Sequence, residues 1–196
     1  MKYLILKLSF LLLFFVPTAF AQITVPVFSS YVVDQTGTLS PTEKQALEKK
    51  LTDFHNTKGS EIAGLIVATI QPEAIEQFAI RVFDLWKIGR KGIDDGVLLI
   101  VAKNDRELRI EVGRGLVGAL TDLLSKRIID EIITPSFKIG AFSLGIDQGV
   151  EAIIKVINGE PLPPPVATIE NDLFIVFLII IISFIFIFSV MIQTTM

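Results

Sequence analysis

Apolar residues in this chain change their spacing often enough to mark out its elements. Leu47, Leu51 and Phe54 recur at helical intervals behind Ser40-Pro41-Thr42-Glu43. That tetrad predicts a capping box, with Ser40 as N-cap, Pro41 at the first helical position and Glu43 at the third. Gly59 is placed to end the helix. Ile62 to Ile70 is a mainly apolar run of strand length, as expected of an interior strand covered on both faces. Pro72 then opens a second helix whose apolar face is Ile75, Phe78, Ala79, Val82, Phe83 and Trp86.

Val97 to Ala102 reads as a second buried strand. In the next segment Leu108, Ile110 and Val112 alternate with Glu107, Arg109 and Glu111, so that strand has one wet face. Lys103 to Arg106 between them has hairpin length. Thr121 or Asp122 caps a further helix burying Leu124, Ile128 and Ile132, which Pro135 ends. A last helix from Phe142 to Ile157 turns Ile146, Val150, Ile153 and Ile157 inward. The order helix, strand, helix, two strands, helix, helix predicts an α/β layered domain with a small mixed sheet.

The two ends carry a different pattern. Met1 to Ala21 combines Lys2 and Lys7, an apolar run from Leu8 to Val16, and Ala19-Phe20-Ala21, the layout of a cleavable secretory signal. Leu173 to Ile192 is uncharged and rich in Ile, Phe, Leu and Val. At 1.5 Å per residue it reaches about 30 Å, the hydrocarbon thickness of a bilayer, and predicts a transmembrane helix. Pro161 and Pro163-Pro164-Pro165 make residues 159–172 an extended, stiff stalk. The expected organisation is a signal peptide over 1–21, an α/β body over 22–158, the stalk, a span over 173–192 and a cytoplasmic tail over 193–196. The body then works on the extracytoplasmic, periplasmic side, held to the cell membrane by one span.

Composition narrows the chemistry. The 196 residues contain no cysteine, which excludes disulfides, thiolate nucleophiles and Cys-based zinc sites. Net charge is −3 with acids and bases interleaved, so no nucleic-acid partner is indicated. His55 is the single histidine, with no nucleophile motif beside it.

The candidate chemistry gathers around the hairpin. The start of its first strand lies opposite the end of its second. Asp94-Asp95-Gly96 precedes one, and Gly113-Arg114-Gly115-Leu116-Val117-Gly118, leading to Asp122, follows the other. The spacing therefore predicts a shared rim of carboxylates and pliable backbone, the kind of ligand set that Ca²⁺ or Mg²⁺ takes. Two carboxylates about 5 Å apart repel by roughly 3 kcal/mol at an effective dielectric of 20, so the rim needs a cation, a base or open water. Asp-Asp-Gly is equally ordinary turn chemistry, and Arg90, Lys91 or Arg114 could neutralise it. Gly113, Gly115 and Gly118 could free N–H groups for an anion, or simply allow a tight turn. Trp86 reads as a core anchor.

Several separated motifs resemble one family. Val33-Asp34 with Gly37-Thr38-Leu39-Ser40, Trp86-Lys87-Ile88-Gly89, Lys91 to Leu98, and Arg109 to Gly113 with Gly115-Leu116 and Asp122 resemble TPM domain proteins. The likeness is to the exported, membrane-anchored bacterial kind labelled YgcG-like, and it covers Val32 to Ile157. The resemblance implies a three-layer αβα sandwich around a small twisted sheet. It implies a divalent cation, Ca²⁺ before Mg²⁺, at Asp34, Asp94, Asp95 and Asp122. Where the family commonly has an acid, this chain has Val117, which weakens the case for both binding and hydrolysis. Two functions follow. One is an accessory module that assembles or maintains other envelope or membrane proteins. The other is a metal-assisted acid phosphatase acting on phosphomonoesters, with Arg90 or Arg114 clamping the phosphate.

Overall fold

The computed structural model describes residues 22–163 and 180–182. Its elements are β1 (Val32–Asp34), α1 (Pro41–Lys58), β2 (Glu61–Val67), α2 (Ile75–Trp86), β3 (Gly96–Ala102), β4 (Glu107–Val112), α3 (Asp122–Arg127), a π-helical segment (Ile128–Ile133), α4 (Thr134–Lys138) and α5 (Phe142–Ile157). They form an α/β fold around one sheet of order β1-β2-β3-β4. The first three strands run parallel and β4 runs antiparallel to β3, so the sheet is small and mixed.

Each face of the sheet has its own buried cluster. Ile62, Ile66, Val97, Leu99 and Val101 point to the side covered by α1, the π-helical segment and α5. Ala63, Leu65, Val67, Leu98, Ile100 and Ala102 point to the side covered by α2. Strands buried on both faces explain why β2 and β3 read as unbroken apolar runs. Residues before β1 lie over α2, where Trp86 Nε1 donates to the Pro26 carbonyl at 2.7 Å and the Trp86 ring packs against Phe28. Trp86 is the core anchor its position predicts.

Local chemistry sets the helix ends. Ser40 and Glu43 form the full capping box, and Gly59 closes α1 in the left-handed conformation. Elsewhere the chain departs from its pattern. β1 has only three residues, too few to alternate visibly, and the sequence reading misses it. Pro72 does not open α2. It lies in a turn behind a cis peptide bond, and α2 begins at Ile75. Pro135 does not end the third helix either. The chain widens into the π-helical segment, where Thr134 N–H bonds Ile129 O, and Pro135 sits in the first turn of α4. A proline in a regular helix clashes with the carbonyl four residues back, and wider turns relieve that crowding. The wider period also turns Ile133, five residues after Ile128, into the core, while Ile132 is only half-buried.

The two crossovers have an unusual relation. β1 to β2 and β2 to β3 step in the same direction across the sheet, yet α1 and α2 lie on opposite faces. Their hands must therefore differ, so one departs from the common right-handed rule. At the carboxyl ends of β1 and β2 the chain accordingly leaves to opposite sides.

The chain divides between Leu162 and Pro163. In the second unit the residues 180–182 are helical and exposed. No helix among the described residues is long and apolar enough to cross a membrane. The expected signal peptide, and the expected span apart from 180–182, lie outside the described residues.

Candidate functional site

The rim predicted from the hairpin exists. Gly113 N–H donates to Gly96 O at 2.8 Å and Gly115 N–H to Asp94 O at 3.0 Å, tying the glycine loop to the Asp94-Asp95 turn. The approach is so close that a Cβ on Gly113 would lie 2.1 Å from the Asp94 carbonyl oxygen, and one on Gly115 would lie 2.2 Å from that of Ile93. These two glycines serve backbone packing. Gly118 has open space around it.

Asp95 lies at the centre of the rim, only 2% exposed. Its Oδ1 accepts from Arg90 N–H at 2.8 Å, and its Oδ2 accepts from Arg90 Nε at 2.9 Å and from Ser60 Oγ at 3.0 Å. Burial pushes the Asp95 carboxyl upward, but the Arg90 and Ser60 hydrogen bonds and the guanidinium charge outweigh it and hold the group below the usual carboxylate range. Asp95 also raises Arg90 through the same hydrogen bond. The neighbouring Gly89 N–H donates to Glu61 Oε2 at 2.6 Å, fixing the turn that delivers Arg90. Asp95, Arg90 and Ser60 thus form a closed clasp, and neither oxygen of Asp95 is left without a partner.

The four aspartates do not form one ligand set. Asp34 ends β1 opposite Ile66, whereas Asp95 precedes Gly96, which lies opposite Glu61. Five positions along β2 at about 3.3 Å each separate them by roughly 16 Å. A strand parallel to β3 puts its final residue at the far end of the sheet from the start of β3. There Asp34 shapes its own loop, accepting from Thr36 N–H and Leu39 N–H at 2.8 Å each. Burial raises its pKa, and the bonds from Leu39, Thr36 and Thr38 together bring it below the ordinary value. Among the described residues no group of three acids or histidines is placed to hold a metal ion. The predicted four-aspartate cation site therefore does not fit these residues, and no chemistry is routed through it.

The remaining candidates separate. Asp94 and Asp122 are exposed, with no side-chain hydrogen bond among the described residues, and Asp122 follows Thr121, the actual N-cap of α3. Arg90 is committed to Asp95 and is no free phosphate clamp. Arg114 is exposed and unpaired among the described residues. Val117 is 49% exposed beside the same loop. His55 is half-buried, its ring beside Tyr31 and its Nδ1 3.3 Å from Ser60 O. Ser60 and Glu61 were not legible as rim residues, because only the parallel register of β2 against β3 brings them there.

With this geometry in hand, the sequence matches the TPM domain family over residues 32–156. The solution NMR structure of an N-terminal domain from P. gingivalis is similar at 29% identity and a TM-score of 0.62, over 66% of this chain and 82% of that one. The BA42 protein of the psychrophilic bacterium Bizionia argentinensis shares the fold at 22% identity and a TM-score of 0.54, over 64% and 91% of the two chains. An N-terminal domain from Corynebacterium glutamicum does so at 11% identity and a TM-score of 0.53, over 77% and 95%. No functionally curated protein matches the chain.

Proposed function

The chain belongs to the TPM domain family, and on that premise we propose that it is an exported, membrane-anchored docking module for other proteins of the cell envelope. The observation that carries this reading is the closed clasp at Asp95. The one buried acid of the rim has both oxygens filled by Arg90 and Ser60, so it is held as a structural tie. A hydrolytic site needs a group free to bind an ion, a water or a phosphoryl oxygen. Asp94 and Arg114 remain at the surface of the rim, exposed to solvent.

Anchoring is part of the same proposal. The signal-like segment over 1–21 and the uncharged run from Leu173 to Ile192 would place the domain on the periplasmic side of the cell membrane, on a proline-rich stalk. The deciding assay is hydrolysis of p-nitrophenyl phosphate by the full chain with Ca²⁺, Mg²⁺, Mn²⁺ or Zn²⁺. The expected rate equals that of buffer. Turnover that disappears in Asp94→Asn would make the protein a metal-assisted phosphatase and end the docking reading.

A further inference from the structure

At the opposite end of the sheet from the rim, the start of β4 forms part of the floor of a groove. The ladder fixes which backbone groups are free. Gly113 N–H bonds Gly96 O, and Glu111 and Arg109 lie opposite Leu98 and Ile100 in the same phase. Antiparallel pairs alternate, so Leu108 and Ile110 turn their N–H and C=O groups away from β3. Among the described residues nothing pairs with them.

Two adjoining cavities lie where this edge begins, both lined by Arg106, Glu107 and Leu108. One, of about 530 Å³, is lined by Lys103, Arg106, Leu108, Phe137, Lys138 and Phe142. The other, of about 440 Å³, shares Arg106 and Leu108 and is walled by the start of α2 on one side and the π-helical segment on the other. The first cavity holds three cations against one carboxylate, Glu107. Lys103 Nζ sits 4.6 Å above the Phe142 ring and donates to Thr38 Oγ1 at 3.1 Å. Arg106 and Lys138 have no hydrogen bond or ion pair among the described residues, so their charge is available. Glu76 and Asp130 line the second cavity, so the positive charge is concentrated in the first.

We propose that this groove binds the C-terminal strand of a partner protein, adding it to the open edge of β4 with its terminal carboxylate among Lys103, Arg106 and Lys138. The proposal rests on the docking reading above and names the chemistry of the partner. Leu108 and Ile110 supply the main-chain hydrogen bonds, as in strand addition to a sheet edge. Phe137 and Phe142 receive the last, apolar side chain. The place of the cations sets direction: the carboxylate lies beside Arg106, where β4 begins, so the peptide runs antiparallel to β4.

The test uses the full chain in detergent and a library of random heptapeptides displayed with free C-termini. The expected pool ends in an apolar residue. A synthetic member of it should bind at least tenfold tighter as the free acid than as the C-terminal amide. It should lose at least tenfold on alternate N-methylation, which removes the edge hydrogen bonds. It should lose as much on the double change Arg106→Gln/Lys138→Gln, which touches no intramolecular bond. A pool without carboxylate dependence, an empty pool, or unchanged binding to the double variant would overturn the proposal. Any of these leaves docking on another face open, whereas phosphate-ester turnover would remove the docking reading itself.

Discussion

At Asp95 the cost of burying a carboxylate is met chiefly by one neighbour. Arg90 supplies a guanidinium and a backbone N–H, and Ser60 adds a hydroxyl. Removing one partner of a buried pair costs about 3–5 kcal/mol, but the Arg90 side chain is 49% exposed and its charge is partly screened. Asp95→Asn should therefore cost about 2 kcal/mol at neutral pH, with Arg90→Ala destabilising in the same direction, read by urea unfolding. The sign of the pH dependence follows from the lowered Asp95 carboxyl. Its stabilisation is fully present above the unfolded pKa of about 3.9 and fades as pH falls through the folded value. The gap between wild type and Asp95→Asn should hold from pH 7 to about 5 and close in stronger acid. A gap that persists there would mean that the ion pair is not its source. Asp34 gives a companion test. Asp34→Ala leaves the Leu39 and Thr36 donors unmet and should cost about 2 kcal/mol. That cost should be equal with and without Ca²⁺, and a cost that appears only with Ca²⁺ would return Asp34 to an ion site.

Elements were legible wherever one local rule determined them. The capping box at Ser40, the left-handed Gly59, the hairpin turn from Lys103 to Arg106 and the spacing of α5 all carry their information within a few residues. β1 carries almost none, because three residues become a strand only through their pairing with β2. Asp34 joined the other aspartates through the family resemblance alone, and only the direction of β1 shows that it lies at the other end of the sheet. The adjacency of Asp94 to Gly113 was readable from hairpin geometry. Arg90 was readable as one of three bases that could neutralise the turn, but its choice over Lys91 and Arg114 was not, because that depends on how the turn at Gly89, with φ of 97°, aims the arginine. The two glycine environments make a contrast that can be measured. Gly113→Ala forces a Cβ against the Asp94 carbonyl and should cost about 1–3 kcal/mol, with the hairpin amides shifting in NMR spectra. Gly118→Ala meets open space at an ordinary φ and should be neutral or stabilise by up to about 0.5 kcal/mol. Equal effects at both positions would contradict the close approach of loop and turn.

For the whole molecule, the proposal assigns its two ends to two compartments. The docking reading requires the body to face outward, because a groove for envelope proteins is of no use in the cytoplasm. Lysine and arginine do not set that orientation, since none flanks the apolar run from Leu173 to Ile192. The absence of cysteine makes the question simple to ask, because any introduced thiol is unique. Lys91 lies exposed in the turn before Asp94, so Lys91→Cys presents a thiol on the body. In spheroplasts it should react with a membrane-impermeant maleimide, whereas Thr195→Cys in the tail should react only after the membrane is permeabilised. Alkaline carbonate washing should leave both variants in the membrane fraction if the span holds. Labelling of Thr195→Cys in intact spheroplasts, with Lys91→Cys protected, would invert the topology. The β4 groove would then face the cytoplasm, and its partner would have to be sought there.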